Sequence, residues 1–241
     1  MITDTYFGKI VDILSKIKDT QKDKIVSAAN LAADTIKKGG IIYVFGCGHS
    51  HLIALDSFYR AGGLANVSPI LDTDLMLHNG AAKSSHMERM SGLAPEIIKR
   101  YCLTEKDLLI VISTSGKNGV PVEAAKYANE KGIKTVSIVS SAYFGDKPVV
   151  DKLLYECTDI YIDNCVPHGD AVIDIEGVDT KMGSVSTCAS SFILQSVILE
   201  ASDICSKDGV SLPVYTSGNV EGGKEKNAKI IDEFLPKIKH L

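Results

Sequence analysis

The sequence lacks the patterns that mark several classes of protein. The formal net charge of the 241 residues is −4, and no block of five or six like charges occurs. Nucleic-acid binding therefore has no electrostatic support, because proteins of that class carry clustered positive charge. No stretch approaches the roughly 18 apolar residues of a membrane span, and the first residues do not resemble a signal peptide. These absences predict a cytoplasmic protein that binds neither nucleic acid nor membrane.

Patterns for metal, redox and nucleotide sites are missing too. The six cysteines form no Cys-x-x-Cys pair, which in a chain of this length predicts reduced thiols rather than a disulfide framework. No Gly-Lys-Ser/Thr triplet occurs, which excludes a Walker phosphate loop. No zinc-ligand spacing occurs, so the fold would have to gather His78, His86, Glu88 and His168 to make a metal site. We therefore expect neither a metal nor another cofactor.

What the sequence does contain is a regular alternation of amphipathic helices, short apolar strands and glycine-rich turns. Apolar periodicity and glycine or proline boundaries predict helices at residues 3–19, 22–38, 49–61, 95–101, 121–131, 184–201 and 225–239. Apolar runs predict strands at residues 41–45, 66–71, 107–112, 133–139, 160–163 and 171–175. The segment 73–94 gives no single pattern, although its second half permits a helix.

This alternation predicts a three-layer αβα fold with a doubly wound, mainly parallel sheet. We expect one domain over residues 1–241, made of N-terminal helices (1–38), a core (39–205) and a helical tail (206–241). In such sheets ligands bind beyond the carboxyl ends of the strands, where the strand order switches direction. Two polar turns, residues 46–51 and 113–119, follow predicted strands and therefore mark the expected ligand site.

The first turn, GCGHSH at residues 46–51, suits the binding of an anion. Gly46 and Gly48 allow the backbone to turn tightly and to approach a ligand closely. His49 and Ser50 begin the next helix, where free N–H groups and the helix dipole favour negative charge. Ser50 adds a hydroxyl donor to these backbone groups.

Three other interpretations of this turn remain open. A dinucleotide-binding turn would need a third glycine where His51 stands, although Asp72 lies at a plausible distance for a ribose-binding acid. Cys47 adjoins an electropositive helix start, which would lower its pKa, but a small residue in a tight turn explains it more simply. His49 and His51 are two residues apart on a helix and so point in different directions, which disfavours a shared metal.

The second turn, STSGKNG at residues 113–119, offers three hydroxyls, two glycines and an amide. Such a turn can form a cup of donors around phosphate oxygens. A simple polar helix cap would also explain it, because Ser and Thr favour that position. Two such turns, each after a buried strand, are better explained by one shared phosphate.

The two turns together resemble the sugar isomerase (SIS) domain family. Residues 46–50 match its G-x-G-x-S pattern, residues 113–117 match S-x-S-G-x, and the lead-in KKGGIIYVFG is also similar. The resemblance covers about residues 22–205 and is closest to the phosphoheptose isomerases and to single-SIS proteins. It implies the flavodoxin-like SIS fold with extra N-terminal helices, and a homodimer or homotetramer with sites near subunit interfaces.

The resemblance also implies a sugar-phosphate ligand. The implied contacts are the hydroxyls of Ser50, Ser113 and Ser115 and the backbone N–H groups of Thr114 and Gly116. Asn118 stands where many members of the family have threonine, and its amide can still cap the turn or donate a hydrogen bond.

The favoured activity is aldose–ketose isomerisation of a sugar phosphate, or a related reaction of an amino-sugar phosphate. Isomerisation needs a base that moves a proton between two carbons, and often a second group that opens the ring. In phosphoheptose isomerases a glutamate is expected where Arg60 stands here, and a histidine is expected on the late helix, where none occurs. A phosphosugar-binding sensor or assembly module without catalysis is therefore the alternative.

Six residues outside that catalytic pair could still supply acid–base chemistry. The histidine one turn into the first site helix could open a sugar ring, and KSSHMERM, VPHGDA and SGNVEGGK each supply one candidate among their acidic and imidazole groups. The stretch IEGVDTK is similar to part of the SIS domains that form glucosamine phosphate. The candidates are Glu88, His51, Glu176, Lys181, His168 and Glu221.

Overall fold

A five-stranded parallel sheet lies at the centre of the computed structural model, which describes residues 1–241. Its strands are β1 (Ile42–Gly46), β2 (Val67–Ile70), β3 (Leu108–Ile112), β4 (Lys134–Val139) and β5 (Ile160–Asp163). They lie in the order β2-β1-β3-β4-β5, and every neighbouring pair is parallel. This is the flavodoxin-like order, with its switch point between β1 and β3. The predicted doubly wound α/β fold is confirmed.

Eight α-helices surround this sheet. They are α1 (Ile2–Thr20), α2 (Lys22–Lys37), α3 (Ser50–Ser57), α4 (Ala81–Met87), α5 (Leu93–Lys99), α6 (Gly119–Glu130), α7 (Ser186–Lys207) and α8 (Gly223–Phe234). Helices α1, α2, α3 and α7 contribute to one face, and α5, α6 and α8 to the other. The uncertain segment 73–94 forms two short 3-10 turns, Thr73–Leu75 and Leu77–Asn79, followed by α4.

The two faces of the sheet bury separate cores. Along β1, Ile42 and Val44 enter the core under α2 and α7, whereas Tyr43 and Phe45 enter the core under α5 and α6. Because successive side chains of a strand point to opposite faces, a strand covered on both faces must be apolar throughout. This explains the unbroken apolar runs of β1 and β3, whose residues are all buried.

Helix α7 is long and apolar enough, by length and composition alone, to cross a membrane. Its buried residues include Ala189, Ile193, Leu194, Val197 and Ala201, which pack in the same core as α2. Apolarity on one side of α7 is therefore accounted for by its contact with α2 and the sheet.

Four predicted elements differ clearly from those observed. The last helix, predicted to reach residue 239, ends at Phe234. Helix α3 ends at Ser57 rather than near residue 61, because Phe58 is extended and Tyr59 has a φ of 46°, which no helix can contain. Helix α7 continues six residues further than predicted, to Lys207. The strand predicted at 171–175 is β6 (Ala171–Ile173), which lies outside the main sheet and pairs antiparallel with an unpredicted strand, β7 (Met182–Ser184).

The C-terminal residues belong to the second core. Phe234 and Ile238 are each 2% exposed, and the Tyr101 hydroxyl lies 2.7 Å from Nε2 of His240. The N-terminus differs, because Met1 is 91% exposed.

Candidate functional site

The two polar turns leave neighbouring strands at the same edge of the sheet. β1 and β3 are parallel partners, and Gly46, the last residue of β1, is paired with Ile112, the last residue of β3. Turn 1 (residues 46–51) and turn 2 (residues 113–119) therefore both begin at the switch point of the sheet. This is where α/β proteins of this topology bind ligands.

Close backbone contacts fix the conformation of turn 1. A Cβ on Gly46 would lie 2.7 Å from the carbonyl group of Ser50, so only glycine fits without displacing the start of α3. Gly48 has a φ of 57°, and its N–H donates to the Leu75 carbonyl at 2.9 Å. His49 is exposed and Ser50 is half-buried at the first turn of α3.

His51 is buried beneath turn 1, and its Nδ1 bonds to the Gly48 carbonyl. A carbonyl can only accept, so Nδ1 carries the hydrogen and Nε2 of the neutral ring is an acceptor. The His78 ring meets the His51 ring edge-on at 6.1 Å. His51 thus both braces the turn and keeps one ring nitrogen able to take up a proton.

Turn 2 presents a row of backbone donors. The N–H of Gly116 donates to Oγ of Ser113 at 3.3 Å, but those of Thr114, Ser115, Lys117 and Asn118 donate to no protein acceptor. Unpaired backbone N–H groups at the start of a helix, here α6, form a concave site for an anion.

Hydrogen bonds from neighbouring loops hold the backbone of turn 2 in place. The Ser140 N–H donates to the Thr114 carbonyl at 2.9 Å, and the Leu154 N–H to the Gly116 carbonyl at 2.8 Å. The Thr114 hydroxyl accepts from the fully buried Asn164 amide at 3.2 Å, and the same amide reaches Ser190 of α7. The side chain of Thr114 therefore serves the fold, which leaves its backbone N–H for a ligand.

Glu88 lies beside both turns. Its Oε1 accepts from Nδ2 of Asn118 in turn 2 at 2.7 Å, and its carbonyl accepts from the Val120 N–H at 3.0 Å. Its charge also acts on the thiol of Cys47 in turn 1. Burial raises the pKa of Glu88, and the charge of Arg89 opposes this only in part. A partly buried carboxyl group with a raised pKa is suited to proton transfer.

Cys47 does not have the low pKa expected from its place near a helix start. Burial raises the pKa of the Cys47 thiol well above its ordinary value, and the carboxylates of Glu88 and Asp72 add to the effect. The thiol is therefore protonated near neutral pH and is a poor nucleophile. That expectation from the sequence was wrong because the thiol is buried beside negative charge.

His168 reaches turn 2 through a charged bridge. Asp146 lies 2.8 Å from the Lys117 ammonium and 3.4 Å from Nε2 of His168, whose ring stacks on Tyr143 at 4.3 Å. The hydrogen bond from Lys117 holds the pKa of Asp146 below its ordinary value. His168 is 61% exposed, so it lies at the rim of the site rather than in it.

The other three candidates lie away from both turns. Glu176 and Lys181 belong to the exposed segment between β6 and β7, where Lys181 pairs with Asp174 at 2.6 Å. That ribbon packs against α1 through Tyr6. Glu221 is exposed in the loop before α8, and this loop lies near Arg60, at the opposite end of α3 from Ser50.

No three His, Cys, Asp or Glu side chains are grouped as a metal ion would require. Asp72, the residue considered for a ribose hydroxyl, instead caps the turn at Thr73–Leu75 and pairs with Arg100 at 3.3 Å. Sequence reasoning missed Asn164 and Asp146, which support turn 2. Their signal was their position, because both follow strand ends at the edge of the sheet that carries the two turns.

Comparison with known proteins places the chain in a family. The SIS domain model matches residues 5–140. A UPF0309 protein of Geobacillus thermodenitrificans is 41% identical over 98% of this chain and 96% of its own length.

Two solved structures share the fold at low sequence identity. A phosphoheptose isomerase from Francisella tularensis has a TM-score of 0.55 and 15% identity, over 83% of this chain and 96% of its own. The NanR protein of Vibrio vulnificus, complexed with ManNAc-6P, has a TM-score of 0.52 and 14% identity, over 100% of this chain and 71% of its own. From the SIS domain match over more than half of its length, the extended likeness to a UPF0309 protein and the shared fold, the chain belongs to the SIS domain family.

Proposed function

We propose that this protein binds a sugar phosphate between turns 1 and 2 and interconverts its aldose and ketose forms. The observation that carries the proposal is the row of four unpaired backbone N–H groups in turn 2, at the switch point of the sheet. A phosphate dianion would accept from these groups and from the hydroxyls of Ser50, Ser113 and Ser115. The likeness in fold to a phosphoheptose isomerase and to a NanR protein complexed with ManNAc-6P supports this ligand class.

Glu88 is the proposed base. Its carboxylate would remove the proton from C2 of the aldose, and the protonated carboxyl would return a proton to C1 of the resulting enediol. The phosphate holds the sugar at a distance from the reacting carbons and so supplies binding energy for their alignment. The raised pKa of Glu88 makes its carboxylate a stronger base than that of an exposed glutamate.

His51 is the proposed ring-opening group. Its Nδ1 hydrogen is committed to the Gly48 carbonyl, so Nε2 is free to accept the proton of the anomeric hydroxyl. Loss of that proton breaks the bond between the anomeric carbon and the ring oxygen, which regains a proton from solvent. His49, exposed next to Ser50, would contact the sugar or its phosphate from the rim.

The whole chain is proposed to act as one SIS domain in a cytoplasmic homodimer or homotetramer. A groove of about 650 Å³ between α3 and α7 exposes Leu52 and Phe192 and provides an apolar surface for a second copy. Light scattering would test the assembly, and a monomer at micromolar concentration would contradict it.

The test of function is incubation with hexose, heptose and amino-sugar phosphates, followed by product identification by NMR. Glu88→Gln should retain ligand binding and lose about 10²- to 10⁴-fold in turnover, the usual contribution of a general base. Glu96→Gln, an exposed glutamate on α5, is the matched control and should keep full turnover. Unchanged turnover in Glu88→Gln would exclude Glu88 as the base.

The second candidate is a phosphosugar-binding sensor or assembly module without catalysis. Arg60 favours it, because it stands where phosphoheptose isomerases carry a base and is paired here with Asp56. If sugar phosphates raise the melting temperature but none is converted, this second function replaces the first.

A further inference from the structure

The side-chain amide of Asn118 has a hydrogen-bonded nitrogen and a buried oxygen without a hydrogen-bond partner. The side chain is 7% exposed, and its Nδ2 donates to Oε1 of Glu88 at 2.7 Å. Its Oδ1 is fully buried and accepts no hydrogen bond. Buried amide oxygens are almost always paired in folded proteins, so this one is expected to meet a donor in the working state.

The orientation of the amide is fixed by its neighbours. Turned over, the amide would place Oδ1 against the Glu88 carboxylate, where two acceptors would face each other. The backbones on either side of this contact are also joined, because the Val120 N–H donates to the Glu88 carbonyl at 3.0 Å. A Cβ on Gly119 would already lie 3.0 Å from the Met90 carbonyl oxygen, so the segment that follows α4 and the start of α6 are in direct contact.

We propose that Asn118 is a positioning and specificity-determining residue, in which Nδ2 holds Glu88 and Oδ1 accepts a hydrogen bond from the ligand. This inference rests on the proposed function, whose site it refines. A phosphate dianion has no hydrogen to donate, so the phosphate itself cannot satisfy Oδ1. The ligand must therefore carry a hydroxyl or a protonated amine close to Glu88, as sugar phosphates and amino-sugar phosphates do.

The same contact gives the two oxygens of the Glu88 carboxylate different roles. Oε1 is occupied by the amide of Asn118, and the Arg89 guanidinium lies 3.9 Å from the same oxygen. Oε2 is left for the reacting proton. Asn118 is thus a positioning residue for Glu88, and its side chain touches the ligand only through Oδ1.

The positioning role is tested without any ligand. The carboxyl carbon of Glu88 is followed by ¹³C NMR over a pH titration, and Glu88→Gln identifies its signal. Asn118→Ala should raise the pKa of Glu88, because it removes a donor that favours the charged form. Asn30→Ala, at an exposed position on α2, is the control and should leave the titration unchanged. An unchanged titration in Asn118→Ala would overturn the positioning role.

The specificity role is tested by calorimetry with two phosphate esters, methyl phosphate and glucosamine 6-phosphate, the second of which alone carries hydroxyl and amine donors. Asn118→Ala should lower affinity for the sugar phosphate about five- to tenfold, the loss of one hydrogen bond, and change that for methyl phosphate less than about twofold. The side chain of Asn118→Thr is too short to reach both Glu88 and the ligand. This variant should therefore also lose affinity for the sugar phosphate and not for methyl phosphate, and it replaces the alanine variant if that one does not fold. Equal losses for both esters would overturn the acceptor role.

The two failures can be told apart. If the wild-type protein binds neither ester, the proposed function is wrong, and the acceptor role of Asn118 is overturned with it. The Glu88 titration still decides the positioning role in that case, because it needs no ligand.

Discussion

At the scale of single residues, Glu88 combines a cost to the stability of the fold with its proposed role as the base. Its carboxyl group is largely buried between turns 1 and 2, and the only hydrogen bond to its side chain comes from Asn118. Burial without a full set of donors disfavours the charged form, which is why its pKa is raised. Residues that are tuned for proton transfer often carry this kind of cost.

The first prediction follows from the sign of that shift. The unfolded state loses its proton at a lower pH than the native state does, so Glu88 reduces stability as pH rises from acid to neutral. Glu88→Gln removes this decline and keeps an acceptor for Asn118. Urea unfolding should show the variant gaining stability over wild type at pH 7 and losing that advantage near pH 3. An equal difference at both pH values would contradict the assignment, and Glu96→Gln is the control.

At the scale of elements, turn 1 depends on a glycine at Gly46. The second prediction is that Gly46→Ala lowers affinity for a sugar phosphate about tenfold or more, equivalent to losing one hydrogen bond to a charged group. The new Cβ would lie 2.7 Å from the Ser50 carbonyl and would displace the start of α3. Calorimetry measures the loss.

Gly8→Ala is the matched control for this substitution. Gly8 lies within α1 with no atom within 4 Å of an added Cβ, so the change should stabilise the helix by about 0.5–1 kcal/mol. Ligand affinity should be unaffected. Equal affinity in Gly46→Ala and wild type would show that turn 1 does not shape the site.

The third prediction concerns the start of α7, which Asp170 caps. Its Oδ1 accepts from the N–H groups of Val185 and Ser186 at 3.0 and 2.8 Å, and its Oδ2 from the Ser186 hydroxyl at 2.7 Å. Asp170→Ala should lower the free energy of unfolding by about 1–3 kcal/mol, because it loses the cap and places alanine at a φ of 67°. Asp170→Asn should recover part of this in urea unfolding. Equal stability of all three proteins would refute the capping role.

The sequence predicted those elements that have an unambiguous local pattern. β1 and β3 were found because strands buried on both faces are uniformly apolar, and α1 and α2 because their apolar residues recur at helical spacing. β7 was missed, since its three residues are exposed and carry no alternation. The end of α3 was misplaced, because nothing in the sequence marks Tyr59 as the residue that adopts a left-handed backbone.

The site was predictable only in part, for a related reason. Both turns follow recognisable strands, so their place at one sheet edge could be inferred. The contact of Glu88 with Asn118 joins residues 30 positions apart, one just after α4 and the other just before α6, and no local pattern encodes it. The same holds for Asn164, which reaches Thr114 across 50 positions.

At the scale of the whole molecule, the segment around Phe234 and Ile238 returns to the second core of the sheet. Ile238 and Phe234 are buried in the core beneath α5 and α6, beside Tyr101. The segment after α6 therefore contributes to the second core through these two side chains.

The fourth prediction compares two aliphatic residues in this segment. Ile238→Ala should lower the free energy of unfolding by about 2–5 kcal/mol, the usual cost of truncating a buried aliphatic side chain. Leu235→Ala, at a position that is 56% exposed, should change it by less than about 0.5 kcal/mol. Urea unfolding of both variants tests this, and similar effects would mean that the segment does not support the core.

The burial of Ile238 so near Leu241 has a practical consequence for work with this protein. An affinity tag or fluorescent fusion joined after Leu241 would lie next to the hydrogen bond between His240 and Tyr101, three residues beyond the buried Ile238. The same addition before Met1 would extend freely into solvent.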